Sequence, residues 1–500
     1  MDDIIFEGLR RGVPGQPGIA PDQTFVEPEL FIRHPKFQKR SGSLFLGVIH
    51  GTVHQSDDGM DRWIEDGQPI WFNDDRHIIT IAGSRAGKGR GAIVPNLYGY
   101  TGSVLAIDPK GDLAHLTAVR RSEQGQDVHV LDPFEVSGAE ALQFRSAFNP
   151  MRMLDRMNKS IVPDAGVIAD ALVVSSGDQE SHWDDSARNL IEGLILHVAT
   201  HDKYEAERNL VKVYELLMKA EEESSKDVCW LEEEMRDSVE AGGSVRDAAS
   251  DFYDRPDNER GSVLSTARRH MRFLSYPNIQ DVLIDRPGQR SLESLKQLKT
   301  QKTTIYLSLP AMRMGTCFRW FRLFVNLTLM AMEEEKTQPE DKVLMILDEF
   351  AVLGHMKALE DAAGQIAGLG VKLWPIIQDL GQIKALYRDR WETFLGNAGV
   401  LQFFGNSDMT TLDWVSKRMG QTTVYNLSRN LKSPQDRVRQ GNIGESISRH
   451  TEALMAPEEI SQVFARSDSL LRQLILIPGA GPIILQRAFY DKHDYFSPVQ

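Results

Sequence analysis

The chain has 500 residues, of which 41% are hydrophobic and 26% charged, ordinary globular usage that excludes a peptide, a disordered chain, a collagen-like repeat and a long coiled coil. Lys and Arg number 57 against 71 Asp and Glu, a net charge of −14, which excludes a broad basic coat for wrapping nucleic acid and leaves only local DNA contact. Two distant cysteines, Cys229 and Cys317, exclude a disulfide framework and fit a reducing compartment, so a cytoplasmic location is expected.

Residues 1–20 open with Asp2-Asp3 and run through Gly12-Val13-Pro14-Gly15, with neither the basic start nor the apolar stretch of a signal peptide. Residues 1–75 read as an N-terminal lead-in of short strands, such as Ser43-Leu44-Phe45-Leu46-Gly47-Val48-Ile49. From residue 76 the pattern sharpens. Ile78-Ile79-Thr80-Ile81, a Gly-rich turn, a helix and Val104-Leu105-Ala106-Ile107 make a βαβ unit, and residues 76–150 form the first part of a nucleotide-binding domain. Over residues 151–295 the apolar spacing turns helical, as in Trp183, Ala187, Leu190, Ile191, Leu194 and Val198, which predicts an inserted all-helical domain. His197 and His201 stand four apart there with no carboxylate between them, a spacing that suits solvated or core histidines better than a metal pair. Residues 296–500 form the second part of the nucleotide-binding domain. Its buried strands are Thr304-Ile305-Tyr306-Leu307, Val343-Leu344-Met345-Ile346-Leu347, Leu373-Trp374-Pro375-Ile376-Ile377 and Val400-Leu401-Gln402-Phe403-Phe404, alternating with helices. The basic run from Arg429 to Arg439 reads as a surface loop or as a contact to phosphates in a central channel. The fold class is α/β: a mostly parallel twisted sheet flanked by helices, with the helical domain inserted. No transmembrane segment is expected, because the most apolar stretch, residues 321–332, is broken by Arg322, Asn326 and Thr328.

The segment Ala82-Gly83-Ser84-Arg85-Ala86-Gly87-Lys88-Gly89-Arg90 lies between a predicted strand and a predicted helix, where backbone N–H groups and a helix N-terminus face an anion. It reads as a phosphate-binding loop with two departures: Ala82 replaces the first glycine, and Gly89 stands where a hydroxyl would ligate magnesium. Gly83, Ser84, Arg85, Ala86, Gly87, Lys88, Gly89 and Arg90 are the candidate nucleotide-binding residues, with Lys88 reaching the β- and γ-phosphates of ATP. Val343-Leu344-Met345-Ile346-Leu347-Asp348-Glu349 ends in two carboxylates at the C-terminal end of a buried strand, where open α/β sheets bind ligands. Asp348 is expected to hold Mg2+, and Glu349 to orient and deprotonate the attacking water. Gln378, after the next strand, is placed to sense the γ-phosphate or that water. Lys88, Glu349 and Gln378 are thus the candidate catalytic residues. Asp108 ends the strand after the loop helix and could support the metal or Lys88; turn chemistry accounts for Pro109 and Gly111 equally well. Arg85, Arg90 and Arg418 are each candidates for an arginine acting across a subunit interface, and the sequence does not choose among them. Lys88 and Asp348 are 260 residues apart, far more than one βαβ crossover needs, which again places a whole domain between them.

These motifs, with Pro95-Asn96-Leu97, Ile107-Asp108-Pro109-Lys110-Gly111-Asp112, Asp132-Pro133-Phe134, Asn149-Pro150, His182-Trp183-Asp184-Asp185-Ser186-Ala187-Arg188, Gln378-Asp379-Leu380 and Gly420-Gln421-Thr422-Thr423-Val424, resemble the TraG-like coupling proteins of conjugation and type IV secretion over roughly residues 40–495. The resemblance implies a RecA-like ATPase with an inserted all-helical domain, assembled as a homo-hexamer and monomeric when isolated. It implies delivery of relaxase-bound single-stranded DNA or protein substrates into a secretion channel, with ATP and Mg2+. The loop departures at Ala82 and Gly89 look tolerated in that family, with water in the hydroxyl's place. Typical members begin with membrane-spanning helices. None is read here, so a peripheral position at the inner membrane through a separate anchoring protein is expected. Two other readings stay open: a soluble DNA-translocating ATPase like the FtsK and HerA motors, and a nucleotide-gated cargo adaptor without productive hydrolysis.

Overall fold

The computed structural model describes residues 24–174, 181–223, 229–362, 364–429 and 445–496; the first 23 residues and the basic run beyond Arg429 lie outside the described residues. The strands, in chain order, are β1 Leu44–Ile49, β2 Val53–Gln55, β3 Arg62–Ile64, β4 Gln68–Phe72, β5 His77–Ala82, β6 Val104–Asp108, β7 Asp127–Leu131, β8 Thr303–Ser308, β9 Val343–Leu347, β10 Val371–Ile377, β11 Ala398–Phe404, β12 Gln421–Arg429, β13 Glu445–Ala453, β14 Arg472–Leu476 and β15 Ile483–Gln486. Eleven of them form one sheet in the order β4-β1-β15-β14-β11-β5-β10-β9-β6-β8-β7. From β11 to β7 every pairing is parallel; from β11 to β4 every pairing is antiparallel. The expected strands are present, and β1 and β4, read as a lead-in, pair into the antiparallel side of this same sheet.

Both faces of the parallel part are covered, so its strands are buried along nearly their whole length and are mostly apolar. In β5, Ile79 and Ile81 face one core and Ile78 the other; in β9, Val343, Met345 and Leu347 oppose Leu344 and Ile346. One face packs on the short helix Val94–Gly99 and on Asp112–Glu123. The other packs on the long helix Ala311–Glu334 and, through Ile161–Leu172, on a body of helices that includes Ser181–Thr200, Leu210–Glu223, Ser244–Tyr253 and Asp257–Met271. Among the described residues no helix is long and apolar enough to cross a membrane.

A buried polar chain crosses the strands and fixes their register. Trp374 Nε1 donates to Thr80 Oγ1 (2.8 Å), Thr80 to Gln402 Oε1 (2.8 Å), Gln402 Nε2 to Gln473 Oε1 (2.6 Å), and Gln473 Nε2 to the Leu46 carbonyl (2.7 Å). One-residue slips would turn these groups into apolar layers, so the chain favours a single pairing across β10, β5, β11 and β14. Substituting Gln402→Leu removes the acceptor of the Thr80 hydroxyl proton and the donor to Gln473 Oε1. The expected cost is about 2–4 kcal/mol, read as a lowered Tm; an unchanged Tm would show that the chain does not contribute.

Candidate nucleotide site

The loop between β5 and the next helix is built by close packing. Gly83 N–H donates to the Phe404 carbonyl (3.2 Å), and a Cβ on Gly83 would lie 1.9 Å from the Gly405 carbonyl oxygen, so no larger residue fits against the end of β11. The chain then turns at Arg85 (φ 56°) and Gly87 (φ 88°), both left-handed. A π-turn, Gly89–Ile93, leads into the helix Val94–Gly99. Pro95 has no N–H to give a regular helix there, and its ring crowds the carbonyl one turn back, which favours the wider turn. Asn96 completes the junction: its amide donates to the Ala92 carbonyl (2.9 Å) and the Phe45 carbonyl (2.9 Å), and its Oδ1 accepts from Phe45 N–H (2.7 Å). Ser84 and Arg85 are exposed, and around Gly89 a Cβ would meet nothing within 4 Å, so the loop backbone lies open.

Lys88 joins this loop to the acidic strand end. Its Nζ lies 2.8 Å from Asp348 Oδ1 and 2.5 Å from Glu349 Oε1. Gln378 Nε2, from the end of β10, donates to Glu349 Oε2 (3.0 Å), and Asn406, after β11, donates to the Gln378 carbonyl (3.0 Å). The three side chains proposed for catalysis and the one proposed for magnesium are therefore linked in one chain, Asp348 to Lys88 to Glu349 to Gln378, beside the C-terminal ends of neighbouring parallel strands. Burial works against the charge of Lys88, but Asp348 and then Glu349 outweigh it and hold its ammonium above the ordinary lysine range. Burial likewise raises the Asp348 carboxyl, and Lys88 offsets only part of that. Glu349 has left-handed backbone (φ 52°, ψ 45°), which costs about 1 kcal/mol or more and persists only where its surroundings hold it. The donor set fits a phosphate chain with a hard cation: a lysine, open backbone N–H groups, and carboxylate oxygens of the kind magnesium takes.

Other residues singled out from sequence are placed differently. Arg90 is bound to Asp61 (3.1 Å) and Asp491 (2.7 Å) and lies over the Phe489 ring (4.4 Å), and Arg418 is exposed on the helix Met409–Met419. Asp108 is buried and accepts the Ala114 N–H (2.8 Å) at the start of Asp112–Glu123. Asp184, from the His182–Arg188 motif, is buried in the helical body and accepts from His270 Nε2 (2.8 Å) and Arg269 (3.2 Å).

Three arginines that no motif marks as part of the site also reach it or its supports. Arg487, from the end of β15, donates to the Ala86 carbonyl of the loop (2.8 Å), and burial brings its guanidinium down to about 10. Arg322 donates to the carbonyls of Leu353 (2.6 Å) and His355 (2.7 Å), just after Glu349, and to that of Ala171 (3.2 Å). Arg319 donates to the Leu172 carbonyl (3.0 Å) and to His270 Nδ1 (3.0 Å). Arginine only donates, so His270 Nδ1 accepts and its Nε2–H faces Asp184. The one sequence signal is an arginine in or just after an apolar run: Arg319 and Arg322 break the apolar pattern of the long helix, and Arg487 follows Ile483-Ile484-Leu485-Gln486.

Comparison with known proteins adds family context. Residues 32–500 match the model of the family described as type IV secretory system conjugative DNA transfer. The chain is 27% identical to the conjugal transfer protein TraG of Escherichia coli over 404 residues, 77% of this chain and 62% of that protein. It is 25% identical to the type IV secretion system-coupling protein VirD4 of Bartonella henselae over 423 residues, 83% of this chain and 62% of that one. The chain thus spans about three fifths of the length of these relatives. Its fold is similar to that of the plasmid coupling protein TrwB solved in complex with ADP and Mg2+, with a TM-score of 0.60 at 13% identity, covering 95% of this chain and 97% of that one.

Asp108 gives the site a pH signature. Burial raises its carboxyl to about 7, although the N–H groups of Ala114 and Leu113 act in the opposite direction. A carboxyl held above its ordinary value favours folding while protonated, so its contribution is complete below about pH 4 and is lost as pH rises through about 7. The Tm of Asp108→Asn should therefore gain on that of the wild type between pH 5 and pH 8; a constant difference would rule out a raised Asp108.

Proposed function

The chain belongs to the family of type IV secretory proteins for conjugative DNA transfer, and from that premise we propose that it is an ATP-hydrolysing coupling protein that drives relaxase-bound single-stranded DNA or protein substrates into a secretion channel. The observation that carries the reading is Lys88 Nζ between Asp348 (2.8 Å) and Glu349 (2.5 Å), with Gln378 on the far oxygen of Glu349 (3.0 Å). A lysine beside a phosphate loop, facing two acids of which one is backed by an amide, divides the work as nucleotide hydrolysis requires. The relatives named above support the coupling role, and the related fold solved with ADP and Mg2+ supports the nucleotide.

In this reading the loop presents the backbone N–H groups from Gly87 to Gly89 to the phosphates of ATP, and Lys88 exchanges its carboxylate partners for phosphate oxygens. Asp348 is the side chain that would hold Mg2+, which draws charge from the phosphate oxygens, and Gly89 offers no hydroxyl to it, so water completes the shell. Glu349, released from Lys88, takes the proton of the attacking water. Gln378 keeps the Glu349 carboxylate aimed and reports its partner's state to β10. The helices of residues 151–295 form the inserted domain that moves with hydrolysis, and a ring of like subunits supplies the channel and an arginine in trans.

ATP turnover by the wild type, Lys88→Ala and Glu349→Gln, each with and without single-stranded DNA, tests this. Lys88→Ala should lose ATP affinity, while Glu349→Gln should keep it and lose about 100-fold or more in kcat. Wild-type turnover should rise with DNA. Tight ATP binding with no turnover under any condition would leave a nucleotide-gated adaptor, the reading that the missing hydroxyl at Gly89 keeps open.

A further inference from the structure

The segment after β15 wraps the phosphate loop from below. Arg487 is 2% exposed, and its hydrogen bonds go to three backbone carbonyls: Ala86 (2.8 Å), Leu471 (3.4 Å) and Ala465 (3.5 Å). Its guanidinium lies 5.3 Å from the Phe404 ring centre. Among the described residues no carboxylate pairs with it directly; Asp468 acts on it from a distance and is itself gripped by Arg472 (2.8 Å). Two residues on, Phe489 fills the space under the loop: a Cβ on Gly91 would lie 3.3 Å from its ring and one on Gly87 3.7 Å. Tyr490 N–H donates to the Arg90 carbonyl (3.1 Å), and Asp491 takes the Arg90 side chain (2.7 Å).

A buried cation set against carbonyls alone is expensive, and a neutral donor would satisfy the same carbonyls. Its placement makes sense as a device that acts on the loop. In a trans peptide the carbonyl of one residue and the N–H of the next point to opposite sides. Ala86 lies between two left-handed residues, Arg85 and Gly87, so the 86–87 peptide has no regular structure to orient it. We infer that Arg487 is a positioning residue for the phosphate-binding loop: by holding the Ala86 carbonyl on the buried side it turns the Gly87 N–H toward the phosphates, and it adds positive charge beneath them. The inference rests on the nucleotide reading above.

Kd, KM and kcat for ATP are to be measured for the wild type, Arg487→Lys and Arg487→Gln, with Tm alongside. Arg487→Gln should raise Kd and KM about tenfold and change kcat at saturation less than threefold, because uniform binding is lost and not chemistry. Arg487→Lys keeps the charge but gathers its donors on one nitrogen, and should fall between. Wild-type Kd and KM in both variants, even with a lowered Tm, would overturn the inference and leave Arg487 a structural cation. If Arg487→Gln does not fold, Arg487→Lys decides alone: Kd raised about threefold supports the inference and an unchanged Kd overturns it. Failure of the wild type to bind ATP would sink the nucleotide reading and this inference together, whereas normal binding by the variants sinks only the inference.

Discussion

The Lys88 ammonium facing Asp348 and Glu349 is the constraint around which the rest of the sheet is arranged. Two carboxylates at adjacent positions, one of them buried, repel each other and resist desolvation, and a single cation placed within 3 Å of both makes the arrangement tolerable. That requires the end of β5 and the end of β9 to be held one strand apart, with β10 between them. It also requires Glu349 to leave β9 in a left-handed turn, since ordinary strand geometry would send its side chain to the opposite face from Asp348. The strain is local, and its support is Gln378 on one side and Arg322 on the other.

Arg322 gives this constraint its reach. By binding the carbonyls of Leu353 and His355 it fixes the turn after Glu349, and by binding Ala171 it ties that turn to the end of Ile161–Leu172. One helical turn earlier, Arg319 binds Leu172 and His270, and His270 binds Asp184. The acidic strand end and three helices of the helical body are thus joined by consecutive side-chain bonds, with one long helix, Ala311–Glu334, as the rod between them. A change in what Glu349 holds has a continuous packed and hydrogen-bonded route into that body, which is what a machine that turns hydrolysis into movement needs.

Much of this was legible before any coordinates. The parallel strands stand out because both faces are buried, leaving unbroken apolar runs such as Val343-Leu344-Met345-Ile346-Leu347, and the loop and acid pair stand out because their chemistry sits at the ends of those runs. The antiparallel side was harder. β14 begins Arg472-Gln473 and β15 is four residues long, so each carries an apolar run of only three residues, and Gln473 is buried because Gln402 and the Leu46 carbonyl complete it. The contacts of Arg319, Arg322 and Arg487 were hidden for a related reason: all three bind backbone carbonyls, and a carbonyl has no letter in the sequence. Asp108 could be read as a ligand or as a turn residue, and its contact with the Ala114 N–H follows from a helix start that spacing alone does not locate.

The two halves of the sheet therefore divide the work. The parallel half carries the side chains proposed for catalysis and for magnesium, because its strands all end on the same edge. The antiparallel half carries none of these, yet it reaches the loop at three places: Asn96 is locked to Phe45 of β1, Gly83 packs on the turn after β11 where β14 pairs, and the chain leaving β15 lies under residues 86–91. A glycine-rich loop has little of its own to define it, since the freedom that lets its backbone approach phosphate also lets it take other shapes. Its shape must be imposed from outside, and contacts reaching from Phe45, 51 positions before Asn96, to Arg487, 401 positions after Ala86, impose it here.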